Sequence, residues 1–480
     1  MRIKLETLNP KFEAKTNDSN TKILFSILSG IFLAMAFPKL NFYPLAWVAL
    51  VPFFYVLLLT NSLKERLKIG FVFGTVFFAL NLFWVNELFR FVTFWAVLGF
   101  LMLVLFQMLF VLLFCYIFHQ ISERIKIDIF FPIVVAFLWV FVEWLRALGP
   151  FGVSAGVVGY SQANFLAFIQ IASFSSVYGV SFVVIMFNMA LANGLARKKY
   201  FGLIAAVVII AGGFYYGQNA LWDADCTRTK CVYTSIAIIQ PNIDQMDKMK
   251  TSEVMRTYEI QDKMSRQAAS QGAEIIIWPE TAVFSYLLQD QVLSSRIRKL
   301  AVETGKWLII GTPYYEKGKI FNSMVSISPS GEIVSRFNKL HLVPFGEYLP
   351  FRTLLFPILK AVGYYDQDFS PSQNDNAVFA AGKNIVPAIC FESTFPSLVK
   401  QRVKINSSFI LTLTNDAWFG NSSAAYFHLN TGIFRAIENR KYFIQAANTG
   451  ISGSIDPYGR VMNRSRLNSQ EVLFIPVPVN

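Results

Sequence analysis

The chain has 480 residues, 54% of them apolar, and a formal net charge of +13 at pH 7; it is long enough for two or three domains, and so apolar a composition excludes a wholly soluble protein. The charge by itself would suit a nucleic-acid partner. However, no basic stripe interleaved with aromatics is present, and part of the excess lies in the N-terminal tail and in short loops between apolar runs, where membrane topology accounts for it. Nucleic acid is therefore excluded as a partner.

Three runs, 42–60, 91–121 and 147–196, contain no Asp, Glu, Lys or Arg, and a bilayer-spanning helix needs about 20 mainly apolar residues. The pattern predicts seven spans near 22–38, 42–60, 69–89, 91–118, 129–147, 172–194 and 200–217. The first follows a polar head, lacks a small-residue cleavage site and leads straight into another span, unlike a secretory signal peptide. Basic residues mark the cytoplasmic side: Arg2, Lys4, Lys11, Lys15 and Lys22 in the tail, then 63–68, Arg124 with Lys126, and 197–199, after spans two, four and six. The alternate loops offer little beyond Lys39 and Arg90. The N-terminus is expected in the cytoplasm, and an odd number of spans puts everything after residue 217 outside. The expected organisation is a tail at 1–21, a transmembrane domain at 22–217, a linker at 218–231 and an extracytoplasmic domain at 232–480. Cys226 and Cys231 enclose only Thr-Arg-Thr-Lys; an oxidising compartment allows a disulfide there, whereas so tight a loop strains one, and both states stay open.

From about residue 232 short apolar runs alternate with polar, helix-like stretches, which is the α/β pattern. Strands are expected at 233–239, 274–278, 307–311, 323–327 and 333–337, the last two forming a hairpin about Ser330-Gly331; helices are expected at 255–270 and 292–304. Strands at 385–389 and 409–414, a helix at 424–441, and strands at 442–447, 452–455 and 472–475 complete the domain.

Three polar constellations fall just past strand ends, where open α/β sheets place their ligand crevice. They are Glu280 in AEIIIWPETA; Lys339, His341 and Glu347 in SRFNKLHLVPFGEYLP; and Cys390 with Glu392 in VPAICFEST, followed by Asn415, Asp416 and Trp418 in SFILTLTNDAWFG. Taken singly, each has an ordinary reading: Glu280 as a solvated turn carboxylate, Lys339 as a surface charge, Cys390 as an inert small hydrophobe. Together they change the odds. A thiol becomes a nucleophile when a base takes its proton, and the adduct needs a cation or donors where the oxyanion develops; Glu280 and Lys339 are the residue types for those tasks. A Ser-His-Asp site fits poorly, with three histidines in all, His119 at a span end, and no Gly-x-Ser-x-Gly elbow. Metal chemistry fits worse: the chain has no His-Glu-x-x-His, no Cys-x-x-Cys and no compact ligand cluster, so no metal or cofactor is expected.

The segments WPETA (278–282), NKLHLVPFGEYLP (338–350), CFE (390–392) and NDAWFG (415–420), in that order behind a many-helix membrane half, closely resemble the apolipoprotein N-acyltransferase family. That family is a membrane-embedded branch of the nitrilase, or carbon-nitrogen hydrolase, superfamily. The resemblance covers nearly the whole chain. It implies a multi-span α-helical membrane domain joined to an α/β, nitrilase-like αββα sandwich, with a Glu-Lys-Cys triad at Glu280, Lys339 and Cys390. It also implies that Glu347 orients Lys339, that Glu392 shapes or polarises the site, and that Asn415 and Trp418 line the pocket. The implied reaction takes an acyl chain from a phospholipid, typically phosphatidylethanolamine, onto Cys390 as a thioester. The chain then passes to the α-amino group of the diacylglyceryl-cysteine that begins an apolipoprotein, at the periplasmic face of the bacterial inner membrane.

The rival reading is a membrane-tethered amidase or nitrilase-type hydrolase that discharges its acyl-enzyme to water; a catalytically dead scaffold would lack a triad member, and none is lacking. A seven-span half is apt for a lipid donor and wasteful for a soluble amide. So is the apolar stretch 350–365, whose Leu354, Leu355, Phe356, Ile358 and Leu359 either touch the bilayer as an arm or cap the sandwich. Glu143 and Arg146, three residues apart near the end of span five, are expected to pair or to meet a headgroup. Departures from the family are Phe391, where Tyr is usual, Met249, where Trp is frequent, and the end of the chain at Asn480, where members commonly add an eighth span; the sequence is either truncated or that of a shorter member.

Overall fold

The computed structural model describes residues 18–92, 94–122, 124, 129–227, 232–360 and 367–479. Backbone contacts divide the chain into two compact units, Met1–Trp222 and Asp223–Asn480. Much of the basic tail lies outside the described residues, as does the Cys226/Cys231 pairing.

The first unit is helical: α1 Ser19–Met35, α2 Val51–Leu59, α3 Leu63–Asn81, α4 Phe94–Ser122, α5 Phe130–Arg146, α6 Ala172–Arg197 and α7 Phe201–Thr227. Each stretch expected as a span overlaps one of them, the second only over Val51–Leu59 and the third across the end of α3 at Asn81. Among the described residues α4, α6 and the part of α7 at Phe201–Asp223 are long and apolar enough to cross a membrane. The α3 helix, taken with Phe83–Phe91 beyond a 53° bend, makes a fourth, while Ser19–Met35 and Tyr43–Leu59 are shorter apolar helices. Lipid supplies no hydrophobic drive between helices, so small residues and close van der Waals contact hold such a unit together. A Cβ at Gly70 of α3 would stand 2.5 Å from Cys115 Sγ of α4, and one at Gly30 of α1 would stand 2.9 Å from Val76 of α3, so glycine is what lets these helices approach. Aromatic rings fill the rest, with Phe53 stacked on Phe73 at 4.4 Å and Phe114 edge-on to Trp139 at 5.0 Å. Glu143 accepts from Trp139 Nε1 at 3.0 Å and from the Val158 N–H at 2.8 Å; Arg146 donates to Gln107 at 3.0 Å and to the Ala155 carbonyl. Both side chains are buried within the helical unit and bonded there.

The second unit is the αββα sandwich. Its strands are β1 Val232–Gln240, β2 Ile275–Ile277, β3 Trp307–Glu316, β4 Lys319–Ile327, β5 Ile333–Asn338, β6 Val378–Ala380, β7 Lys383–Ile389, β8 Ser407–Thr414, β9 Tyr442–Ala447, β10 Gly453–Ile455, β11 Val461–Arg464 and β12 Glu471–Val479. They form two six-stranded sheets, β12-β1-β2-β3-β4-β5 and β11-β10-β9-β8-β7-β6. The middle of each is parallel, β1-β2-β3 and β7-β8-β9, and the flanks are antiparallel. Alternate side chains of a strand point to opposite faces, and the sequence obeys this. Ile236, Ile238, Ile275, Ile277 and Ile309 enter the core between the sheets with Phe409, Leu411 and Leu413 of β8. Ala237, Ile239, Ile276, Leu308 and Ile310 face helices α8 Val254–Ser270 and α9 Gln291–Thr304. Burial on both faces is why β2 reads as an unbroken run of isoleucine. Helices α11 Pro396–Arg402 and α12 Ala424–Asn439 pack on the second sheet.

The predicted strands recur, most with small changes of length, while β3 and β12 are about twice as long as expected. The sequence reading omitted β6 and β11, which are three- and four-residue edge strands too short for a visible alternation, and the first part of β4, which pairs with the far end of β3 through the Lys317-Gly318 turn. It also omitted α11 and helix α10 Arg352–Lys360. Phe351 and Leu354 are each 70% exposed, so this end of the apolar stretch does not cap the sandwich core.

Candidate active site

The site gathers at the ends of β2, β5, β7 and β8, two strands from each sheet. Glu280 follows β2 through Trp278-Pro279, and Lys339 is the first residue after β5, its N–H donated to the Asn322 carbonyl at 2.8 Å. Cys390 is the first residue after β7 and opens the helical turn Cys390–Thr394. Its φ of 53° lies in the left-handed region, which costs a non-glycine residue of order 1–3 kcal/mol and persists only where the surroundings enforce it. The enforcing bonds are the Ile389 N–H on Glu392 Oε2 at 3.0 Å and Ser393 Oγ on the Cys390 carbonyl at 2.9 Å.

Lys339 is buried between two carboxylates. Its Nζ lies 2.9 Å from Glu347 Oε1 and 2.8 Å from Oε2, and 3.7 Å from Glu280 Oε1. Asn322 of β4 donates from Nδ2 to both acids, 2.7 Å to Glu280 and 2.8 Å to Glu347, and the Val343 N–H binds the second Glu347 oxygen at 2.8 Å. Burial pulls the Lys339 ammonium down, but Glu347 and then Glu280 outweigh it and hold the group well above the ordinary lysine range. Burial raises the Glu280 carboxyl, with Lys339 opposing. Burial likewise pushes the Cys390 thiol up, the Glu280 charge adds to this, and Lys339 works against both. The three groups therefore sense one another's charge: a cation that stays protonated, a carboxylate made a stronger base, and a thiol that ionises only when its proton has somewhere to go.

Glu392 is fully buried and accepts on both oxygens: from the N–H groups of Leu340 at 2.8 Å and His341 at 3.0 Å, and from Ile389, with Arg402 Nη2 at 3.1 Å. It therefore clamps the segment that carries Lys339 to the strand that carries Cys390. Phe391 stands edge-on to Phe395 at 5.1 Å and 6.3 Å from the His341 ring. Asn415 is turned to other partners, donating to Gln245 at 2.8 Å and accepting from Asn448 at 3.0 Å. Trp418 is half-buried in the turn Asp416–Phe419 after β8.

Residues 235–480 match the carbon-nitrogen hydrolase family, and residues 29–190 match the apolipoprotein N-acyltransferase N-terminal domain. The chain is 34% identical to the apolipoprotein N-acyltransferase of Geobacter metallireducens over 94% of its own length and 88% of that protein. The chain belongs to the apolipoprotein N-acyltransferase family. The member of the family from Wigglesworthia glossinidia brevipalpis is 28% identical over 92% of this chain and 89% of that protein. Among solved structures, an amidase from Nesterenkonia sp. is 18% identical with a TM-score of 0.40, over 52% of this chain and 92% of that one. As a member of the N-acyltransferase family with, among the described residues, three helices long and apolar enough to span a bilayer, the protein is an integral membrane protein.

Asn322, Lys248 and Thr414, with His428 behind it, stand at this candidate site and escaped the sequence reading. Asn322 lies inside β4, one residue before the stretch 323–327 expected as that strand, and a lone asparagine there carries no signal. Lys248 looks like one more solvated charge in DQMDKMK, yet it is buried, donating to the Glu280 carbonyl at 3.0 Å and to Thr281 Oγ1 at 3.2 Å. Burial lowers its ammonium to about 7, opposed by the Glu280 charge.

Proposed function

We propose that the protein transfers a fatty acyl chain from a phospholipid, through a thioester on Cys390, to the α-amino group of the S-diacylglyceryl-cysteine that begins an apolipoprotein. The observation that carries this reading is Lys339 buried against Glu280 and Glu347, beside a cysteine held in a left-handed turn. In the first step Cys390 Sγ attacks the ester carbonyl carbon while Glu280 takes the thiol proton. Lys339 faces the developing oxyanion, and collapse expels the lysophospholipid, whose alkoxide recovers the proton from Glu280. In the second step the neutral amine attacks the thioester carbonyl, Glu280 takes an amine proton, and the Cys390 thiolate leaves and is reprotonated. The free thiol is thereby restored, and ping-pong kinetics follow from the covalent intermediate. Glu347 holds Lys339 in place, Glu392 joins the two loops, and Trp418 borders the pocket.

The same proposal covers the membrane. Helices at all seven predicted positions support a transmembrane domain at 22–217, with residues 232–480 on the periplasmic side of the inner membrane, where both lipid-anchored substrates reside. The exposed Phe351 and Leu354 support a bilayer-touching arm at 350–365, of which 361–365 lie outside the described residues, with phosphatidylethanolamine as the donor. Purified protein incubated with phosphatidylethanolamine is expected to carry an acyl thioester on the peptide that contains Cys390, read by mass spectrometry, and to pass it to a diacylated lipopeptide rather than release free fatty acid. No adduct, or an unchanged adduct in Cys390→Ala, overturns the mechanism; release to water alone makes the protein a hydrolase.

A further inference from the structure

Thr414 is the last residue of β8, the parallel neighbour of β7, and the register Ile389↔Leu413 sets it level with Cys390. Its Oγ1 lies 3.5 Å from Cys390 Sγ. On its other side the same hydroxyl is 3.2 Å from Asp416 Oδ1 and 3.4 Å from His428 Nδ1, and His428 Nδ1 meets Asp416 Oδ1 at 2.8 Å. All three side chains are buried. A Cβ at Gly450 would fall 2.1 Å from Asp416 Oδ2, so the carboxylate is wedged against bare backbone and has little room to turn away. The charges of Glu280 and Lys339 act on the sulfur from the first sheet; this hydroxyl touches it from the second.

Building on the reading of Cys390 as the acyl carrier, we propose that Thr414 is a catalytic residue whose hydroxyl donates to the Cys390 sulfur whenever that sulfur is negatively charged, and that Asp416 and His428 hold it there. A hydroxyl has one proton to give and lone pairs to receive. With the neutral thiol or the thioester, sulfur is a weak acceptor and the proton turns to the Asp416 carboxylate, 3.2 Å away. When Glu280 takes the thiol proton, or when the amine adduct collapses and the carbon–sulfur bond breaks, the new thiolate is the stronger acceptor and the proton swings to it. No proton is transferred and nothing is oxidised; one hydrogen bond changes partner. The device lowers the cost of thiolate at both ends of the cycle, which Lys339 cannot do while it neutralises the oxyanion. The charged and titratable groups that face Cys390 are Glu280, Lys339 and Asp416, with Glu347 behind Lys339, Lys248 behind Glu280 and His428 behind Asp416; the Thr414 bond favours the ionised sulfur against the burial, Glu280 and Asp416 that oppose it.

The test uses the full-length protein in detergent and follows only the peptide that contains Cys390. Thr414→Val removes the hydroxyl at nearly constant shape, Thr414→Ser restores it, and Thr414→Ala replaces Val if that variant does not fold. Two readouts are taken: the pH midpoint for iodoacetamide alkylation of Cys390, and single-turnover rates of thioester formation from phosphatidylethanolamine and of its discharge to a diacylated lipopeptide. Loss of a hydrogen bond to a charged group predicts both rates down about tenfold or more and a midpoint about one pH unit higher, with Ser close to wild type. Wild-type midpoint and rates in the folded Val or Ala variant overturn the proposal, as does a Ser variant no better than Val. Absence of any thioester in the unsubstituted protein instead refutes the acyl-carrier reading on which it rests.

Discussion

Arg402 Nη2 lies 3.1 Å from Glu392 Oε1 with both side chains buried, and the same carboxylate oxygen receives the N–H groups of Leu340 and His341. Arg402 also donates to the Pro387 carbonyl at 2.9 Å, so one ion pair ties β7 to the loop that delivers Lys339. Removing one partner of a buried pair leaves the other charge uncompensated, at about 3–5 kcal/mol. Arg402→Ala is expected to destabilise the protein by that amount in urea unfolding and to lower activity through misplacement of Lys339. A loss below about 1 kcal/mol would show that water reaches Glu392.

Asn322 reaches Glu280 at 2.7 Å and Glu347 at 2.8 Å from one amide nitrogen, fixing the two acids on either side of Lys339. Hydrogen bonds to charged groups contribute roughly 1.5–3 kcal/mol. Asn322→Ala therefore predicts a fall in kcat of about 10- to 100-fold with KM for the phospholipid little changed, since the amide touches the catalytic acids and not the lipid. Steady-state kinetics on mixed micelles measure this, and a pure KM effect would contradict it.

Burial raises Glu280, and a general base works only when unprotonated. Activity is therefore expected to fall as pH drops through that raised pKa, placing the acid limb above the ordinary glutamate value of about 4.3. Lys248 is one of the cations that lower Glu280, so Lys248→Met is expected to move the limb to higher pH. For stability the sign reverses. A carboxyl whose folded pKa is raised contributes fully below its unfolded pKa and loses that contribution as pH rises through the folded value, so Glu280→Gln should remove this downward slope. A pH profile of kcat/KM and unfolding midpoints across the same range check both signs; a limb that stays put in Lys248→Met contradicts the first.

Phe351 and Leu354 are exposed on the sandwich unit. Exposed substitutions usually move stability by no more than about 0.5 kcal/mol. Phe351→Ser with Leu354→Ser is expected to leave the melting temperature unchanged while raising KM for phospholipid several-fold, measured on vesicles. An unchanged KM would remove the arm from lipid access.

The sandwich was largely legible because its signals are local. Short apolar runs such as Ile236 to Ile239 and Ile275 to Trp278 mark strands, but being apolar on both faces they leave it to the structure which side chains meet the other sheet and which meet the helices. The strands without this signal, β6 and β11, are short edge pieces whose place is set by their neighbours. Glu280, Lys339 and Cys390 were legible as candidates, as residue types at strand ends, with Glu347 in the loop after β5, whereas Glu392 was legible only as a neighbour of the thiol. Its role as a clamp between two loops required the fold.

Length, charge-free runs and strand ends in the sequence alone determined a membrane half and an α/β half, and singled out Glu280, Lys339 and Cys390 as candidates for the site. The tertiary structure alone decided that Asn322 bridges two acids, that Lys248 is buried beneath Glu280, that Asn415 turns to Gln245, and that Thr414 touches the sulfur. Glu280 and Asn322 are 42 residues apart in the chain, and Asn415 and Gln245 are 170 apart. Periodicity reports which face of its own element a side chain occupies, but a hydrogen bond needs two atoms within about 3 Å; strand pairing within the first sheet brings Glu280 and Asn322 to that range, and the packing of one sheet on the other brings Asn415 and Gln245.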